Sequence, residues 1–223
     1  MKKFVLAILL AAIASQAFAT VGIGVNYVSD YWKFDSKTNQ AITLKDNSVV
    51  HLTRDAMSNP SGLGVFVVMG VSKYEIQIDG EYTMKKYNVQ LNRGGTYGSD
   101  SPQLTSSRIG LTGTFKYKFF SVPAVQLYGG VGAGIQLETP VVGPEMIKDM
   151  VADASKQLDV KPADILSKSN KIGFHVMAQV RVKPPAVPVG LMVSLKGIIL
   201  PSTTFDKPAF VPSLTVGLGF FPF

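Results

Sequence analysis

The sequence predicts an all-β fold, a single antiparallel up-and-down barrel of eight strands, on three observations. Apolar and polar residues alternate with period two in eight separate stretches, the pattern of strands with one oily face and one wet face. The links between these stretches alternate long and short along the whole chain. Mean hydropathy is positive, yet the apolar content is spread over many short pieces. The best candidate for a spanning helix, residues 119–137, carries no charge but holds Pro123, Gly129, Gly130, Gly132 and Gly134, which suit a turn and a strand far better than a helix interior.

The first nineteen residues stand apart. A cationic start, Met1-Lys2-Lys3, precedes an apolar run from Phe4 to Ala14, and Ala17-Phe18-Ala19 closes it with a small-x-small pattern. This reads as a secretory signal cleaved between Ala19 and Thr20; the run is shorter than the ~20 residues of a spanning helix. Residues 1–19 are therefore expected to be removed, leaving 20–223 as one barrel domain. Without Lys2 and Lys3 the chain keeps 20 basic against 15 acidic residues, a net charge of +5. The basic residues are scattered, so no nucleic-acid partner is indicated. Cysteine is absent, which excludes disulfides and thiolate metal sites.

The strands follow in order. In 20–32, Val21, Ile23, Val25 and Tyr27 oppose Gly22, Gly24 and Asn26. In 62–72 the apolar side carries Leu63, Val65, Val67, Met69 and Val71. In 74–91, Ile76, Ile78, Tyr82 and Met84 oppose Glu75, Gln77, Asp79 and Glu81, and the parity breaks near Lys86–Tyr87, which predicts a bulge or an exit from a membrane. In 108–120, Ile109, Leu111, Phe115, Tyr117 and Phe119 oppose Arg108, Thr112, Thr114, Lys116 and Lys118. Residues 125–137, 171–183, 189–200 and 212–223 continue the pattern, each long enough for the ~9–11 residues of a tilted membrane strand.

The links at 33–61, 92–107 and 138–170 are long, that at 201–211 is intermediate, and those near 72–73, 121–124 and 184–188 are tight. Short periplasmic turns and long external loops are the asymmetry of outer-membrane barrels. The third long loop is predicted to carry a short helix over 144–158, with Pro144 at its first position and Ile147, Val151, Ala154 and Leu158 on one face.

Two barrels share this pattern: a soluble one with its oily face inward and a transmembrane one with that face outward. Because a one-residue slip flips every side chain, the choice is all-or-none. Three features favour the transmembrane barrel. The wet face is rich in glycine, as a narrow interior requires. Aromatic residues collect near predicted strand ends, among them Tyr31, Trp32, Tyr74, Phe119, Phe120 and Phe220, matching interfacial girdles. Charges in strands four to seven keep almost entirely to the wet parity, and an Arg or Lys facing lipid costs about 2–4 kcal/mol at the midplane.

With these residues in view, the chain resembles the small eight-stranded outer-membrane barrels of the OmpA and OmpX type. The resemblance spans the signal segment and the whole mature chain and rests on the alternation, the loop pattern and the terminal "GLGFFPF". It implies residence in the outer-membrane lipid bilayer and delivery by the outer-membrane assembly machinery, with the terminal aromatics Phe221 and Phe223 as the assembly signal. Counting back from Phe223, Phe221 fits the family's alternate apolar positions, whereas Gly219, Gly217 and Thr215 depart from it.

An eight-stranded barrel is just wide enough for side chains to fill it. Glu75, Asp79, Glu81, Lys116, Lys118, Arg181 and Lys196 all lie on the inward parity, which predicts an ionic network across the lumen: a polar plug, or otherwise a gated narrow path. The glycines of 128–134 lack the spacing of a phosphate loop. His51 and His175 are far apart, so no metal is assigned. Ser194 beside His175 is the one imaginable nucleophile pair, and it lacks an orienting carboxylate. The expectation is a non-enzymatic outer-membrane barrel without cofactor, structural or acting in surface contact through its external loops, whose ligand the sequence does not identify. The alternatives are a narrow channel or transporter for small or apolar solutes, and a soluble periplasmic ligand carrier.

Overall fold

The computed structural model describes residues 20–44, 47–93, 103–139, 141–143, 147, 170–200 and 210–222. Eight strands form the barrel: β1 (Thr20–Asp30), β6 (Ser61–Val71), β7 (Tyr74–Arg93), β8 (Gln103–Ser121), β9 (Val125–Glu138), β10 (Asn170–Val182), β11 (Val189–Ile199) and β12 (Phe210–Phe220). Each pairs antiparallel with the next, and β12 returns to β1. The ring is closed. The eight stretches expected from the sequence correspond one to one with these strands, and the uncharged stretch 119–137 divides into the end of β8, a turn and β9. The β6–β7 turn is tight, with Ser72 in the left-handed region at φ 59°.

The oily face points outward. Leu63 is 70% exposed, and Leu111, Phe115, Val131 and Val180 share its side of the wall, while Lys116 and Arg181 are 0% and 1% exposed inside. A soluble carrier with an apolar interior is therefore ruled out. Outward aromatics gather at the two ends of the wall: Tyr74, Tyr117, Phe119 and Phe120 toward the short turns, Tyr27, Tyr31, Tyr82 and Phe210 toward the long loops.

β7 and β8 outgrow their neighbours. Pairing with β6 stops at Met84, so residues 85–93 of β7 rise about 30 Å further along the strand. The register with β8 runs unbroken from Tyr74 to Asn88, so the parity break near Lys86–Tyr87 is not a bulge. The backbone parity continues while the polarity of its two faces exchanges. Below the break the inward side carries Glu75, Gln77, Asp79 and Glu81; above it the same side carries buried Tyr87 and Val89, and Lys86 and Asn88 face outward, exposed. This is where the strand leaves hydrocarbon for water.

The link at 33–61 is not a plain polar loop. It forms β2 (Lys33–Phe34), β3 (Lys37–Thr43), β4 (Val49–Arg54) and β5 (Met57–Ser58). β2 pairs β5, and the β3–β4 hairpin adds to the projecting part of β7. Period-two alternation puts Ile42, Leu44, Val50 and Leu52 on one side of that hairpin, where they are buried with Phe34, Met57, Tyr87 and Val89 in a separate core. This core roofs the barrel mouth on the long-loop side. The predicted helix 144–158 lies outside the described residues except for Ile147, which is buried in the same core and whose amide donates to the Gly143 carbonyl at 3.1 Å.

Two outward positions on one face of β8 test where hydrocarbon ends. Leu111→Arg is expected to cost about 2–4 kcal/mol of folding free energy in vesicles, and Thr105→Arg, six residues along the same face, to change it by no more than about 0.5 kcal/mol. Urea midpoints of the refolded barrel measure both.

Candidate functional site

The barrel interior is built in layers. Its floor, at the short-turn end, is apolar: Phe66, Val68, Met192 and Phe221 form one buried cluster, with the two phenyl rings stacked at 6.4 Å. Room for them comes from β1, where a Cβ at Gly22 would collide with the Phe221 ring and one at Gly24 with the Phe66 ring. Phe221, expected in the assembly signal, thus turns into the barrel, completely buried. Phe223 lies outside the described residues.

On this floor rests Arg181 of β10, its guanidinium 4.6 Å from the Phe221 ring centre and 4.7 Å from that of Tyr128. It donates to both oxygens of Glu75, Nη1 to Oε1 at 2.9 Å and Nη2 to Oε2 at 2.7 Å. The Lys116 ammonium approaches Glu75 Oε2 at 3.0 Å, and the Tyr128 hydroxyl donates to Oε1 at 2.8 Å. One carboxylate on β7 therefore gathers partners from β8, β9 and β10.

An amide layer lies above. Lys116 Nζ donates at 2.8 Å to each of Gln77 Oε1 and Gln179 Oε1. The Gln179 amide donates to Ser194 Oγ at 2.9 Å, and the Gln77 amide to Asp79 Oδ1 at 2.7 Å. Next comes Lys196, held between Asp79 at 3.0 Å and Glu81 at 2.6 Å. Arg108 then grips Asp30 through Nε at 2.9 Å and Nη2 at 2.8 Å, contacts Glu81 at 3.4 Å, and donates to Gln136 at 2.9 Å. Thr83 adds a bond to Asp30 at 2.9 Å.

Burying an ion costs several kcal/mol unless partners replace its water. Here four carboxylates (Asp30, Glu75, Asp79, Glu81) meet four cations (Arg108, Lys116, Arg181, Lys196), each with an opposite charge within 3.4 Å. Six of the seven expected residues converge. Lys118 does not: it stands half-buried at the short-turn end, with no ion pair among the described residues.

Asp30, Arg108, Gln77, Gln136, Gln179 and Tyr128 belong to the network and were not expected in it. Asp30 carried a signal, since the glycine parity of the first strand runs on through Asn26 and Val28 to it. Ser194 and His175 do not meet: His175 Nε2 lies 2.8 Å from Thr114 Oγ1, and Ser194 takes the Gln179 amide. His51 lies on β4, beside the Asn39 carbonyl at 3.4 Å.

Above Arg108 the interior turns apolar again, with Ile198, Leu200 and Val211 buried together and Trp32 packed on them. Trp32 also packs on the roof core, meeting Phe34 edge-on at 5.0 Å. In that roof, buried Arg54 donates to the Val142 carbonyl at 2.9 Å and the Asp35 carbonyl at 3.2 Å. The Val142 amide donates to the Tyr87 hydroxyl at 3.2 Å, and burial holds that phenol above its ordinary pKa.

Among solved structures, the chain is similar to Ail, the attachment invasion locus protein of Yersinia pestis, crystallised with the heparin analogue sucrose octasulfate. Identity is 12% and the TM-score 0.43, over 91% of this chain and 96% of that one. It is also similar to the N-terminal β-barrel domain of Pseudomonas aeruginosa OprF, with 10% identity and a TM-score of 0.36 over 89% and 98% of the two chains. No curated relative matches by sequence. Residues 4–197 match the model of the outer membrane protein beta-barrel domain. That match spans most of a chain whose antiparallel wall is closed, and the chain belongs to the outer membrane protein beta-barrel family.

Proposed function

We propose that this protein is a non-enzymatic outer-membrane barrel of a Gram-negative-type envelope, with a closed lumen, whose work is structural or lies in surface contact at the external face. Residues 1–19 act as the export signal, 20–223 form the mature barrel, and the assembly machinery reads the terminal aromatic, with Phe223 as the principal element because Phe221 serves the folded barrel as its floor.

The observation that carries this reading is the filled interior. Eight matched charges occupy its middle, the stacked Phe66 and Phe221 lie beneath them, and the apolar cluster of Ile198, Leu200 and Val211 lies above. A solute would have to break several buried pairs and displace an aromatic floor. The shape of the long-loop end agrees, since β3, β4 and the projecting parts of β7 and β8 present a folded sheet beyond the membrane.

Two measurements test it. Refolded mature protein in planar bilayers is expected to give a quiet baseline, and discrete conductance steps would replace the closed barrel with the channel reading. Glu75→Gln leaves Arg181 and Lys116 buried without their carboxylate, so it is expected to destabilise the barrel by about 3–5 kcal/mol. Lys118→Met, outside the network, is expected to stay within about 0.5 kcal/mol. The temperature at which the folded band shifts to the unfolded position on a gel ranks the two variants.

A further inference from the structure

We propose that the short-turn mouth of the barrel is an anion site, which takes a compact tetrahedral dianion (inorganic phosphate or a phosphate monoester) between Lys118 and Lys183. The site goes beyond the closed-barrel reading and shares with it only the placing of the short turns on the periplasmic side.

Charge divides unevenly along the interior. Toward the long-loop end Asp30, Asp79 and Glu81 face Arg108 and Lys196. Toward the short-turn end the inward cations are Lys116, Lys118, Arg181 and Lys183, and the only carboxylate among the described residues there is Glu75. Lys116 and Arg181 already share that carboxylate. Lys118 and Lys183 therefore stand as surplus positive charge, and neither makes an ion pair among the described residues.

Both lysines face the mouth rather than lipid. Lys118 of β8 pairs with inward-pointing Tyr128 of β9 and stands half-buried. Its amide donates to the Lys73 carbonyl in the β6–β7 turn at 2.7 Å. Lys183 follows β10, half-buried as well, and its amide donates to the Ala124 carbonyl at 2.8 Å. Its Cβ lies on the inner side of the wall: a Cβ built on buried Gly190 would stand 3.3 Å from it and 3.2 Å from the Phe221 ring. Gln126 lies between the two lysines on the same inner face, opposite Arg181 of β10. Each lysine is a diagonal neighbour of this neutral amide, about 7–8 Å away, so two flexible stems can converge on one ion.

The occupant follows from charge and shape. Lysines converging from two different strands suit an ion with a double negative charge and oxygens on several sides, and an ammonium binds phosphate as a point charge. A carboxylate offers a single charge and two oxygens in one plane. The Phe221 ring and the guanidinium stacked on it, 4.6 Å away, close the space above, so the ion stays at the mouth. A lipid headgroup is the less suitable source, because its chains lie against the outward wall while both lysines lie on the inner side. Half-buried charges are partly screened, so affinity falls as salt is raised.

The test titrates inorganic phosphate into the full mature chain in uncharged detergent micelles at low salt and alkaline pH, read by calorimetry. Saturable binding at one site per barrel is expected. Lys118→Met and Lys183→Met are each expected to weaken it about tenfold, the scale of one charge-assisted hydrogen bond, without moving the temperature of the gel-mobility shift. Lys118→Arg with Lys183→Arg is expected to retain it, and Lys86→Met, which removes an exposed charge at the long-loop end, to leave it unchanged. Undiminished binding in the double methionine variant overturns the inference, as does an equal loss in Lys86→Met. Acetate binding as tightly as phosphate, or phosphatidylglycerol in the micelles displacing phosphate, overturns it too. A silent bilayer without phosphate binding sinks this inference alone; conductance steps with phosphate binding intact sink the closed-lumen reading alone.

Discussion

No backbone N–H or C=O can be left unpaired inside hydrocarbon, and the rest of this structure follows from that constraint. It forces the sheet to close, which the β7–β8 pairing accomplishes. Closing at eight strands leaves an interior that side chains alone can fill. Water cannot solvate ions there, so every inward charge must find its counter-charge on another strand. Glu75 and Arg181, 106 residues apart in sequence, meet for this reason. The net stability of a buried ion pair is modest, and its larger effect is on register. A one-residue slip of β10 would send Arg181 into lipid and bring Val180 or Val182 to face Glu75.

Parity in a strand is geometric, whereas which parity is polar depends on the surroundings. β7 demonstrates this within one unbroken ladder. In the membrane its outward positions carry Ile76, Ile78 and Tyr82 against lipid. Beyond the membrane its outward positions carry Lys86 and Asn88 against water, and its inward ones, Tyr87 and Val89, join the roof core. The apolar side changes because the low-polarity phase moves from outside the barrel to inside the roof.

That exchange explains what could be read from the sequence. The eight barrel strands were legible because each keeps a single pair of environments along most of its length, as in the alternation of Ile109 to Phe119 with Arg108 to Lys118. Inward placement of Glu75, Asp79, Glu81, Lys116, Arg181 and Lys196 followed from the same parity. Which of them pair was not legible, since Lys116 could as readily have met Asp79 as Glu75; strand tilt and side-chain length decide that. Lys118 shares the parity but stands too near the short-turn end to enter the interior. The roof is not legible in the sequence because β3 and β4 are short and their alternation sits among polar residues. The pairs Ile42 and Leu44, then Val50 and Leu52, were nonetheless its signal.

The two apolar layers that bracket the ions also bear on the sheet at the long-loop end. The floor of Phe66 and Phe221 and the upper layer of Ile198, Leu200 and Val211 keep water from the ion pairs, which strengthens their Coulombic attraction. Trp32 packs on the upper barrel layer and on the roof core at once, and Arg54 ties the roof to residues 35 and 142. The roof is thus a continuation of the packed interior rather than a flap resting on it. A sheet anchored in this way holds Lys86 and Asn88 outward on packed strand backbone. The buried pairs inside the barrel and the outward display of polar side chains on the upper part of β7 are therefore two consequences of one packed column.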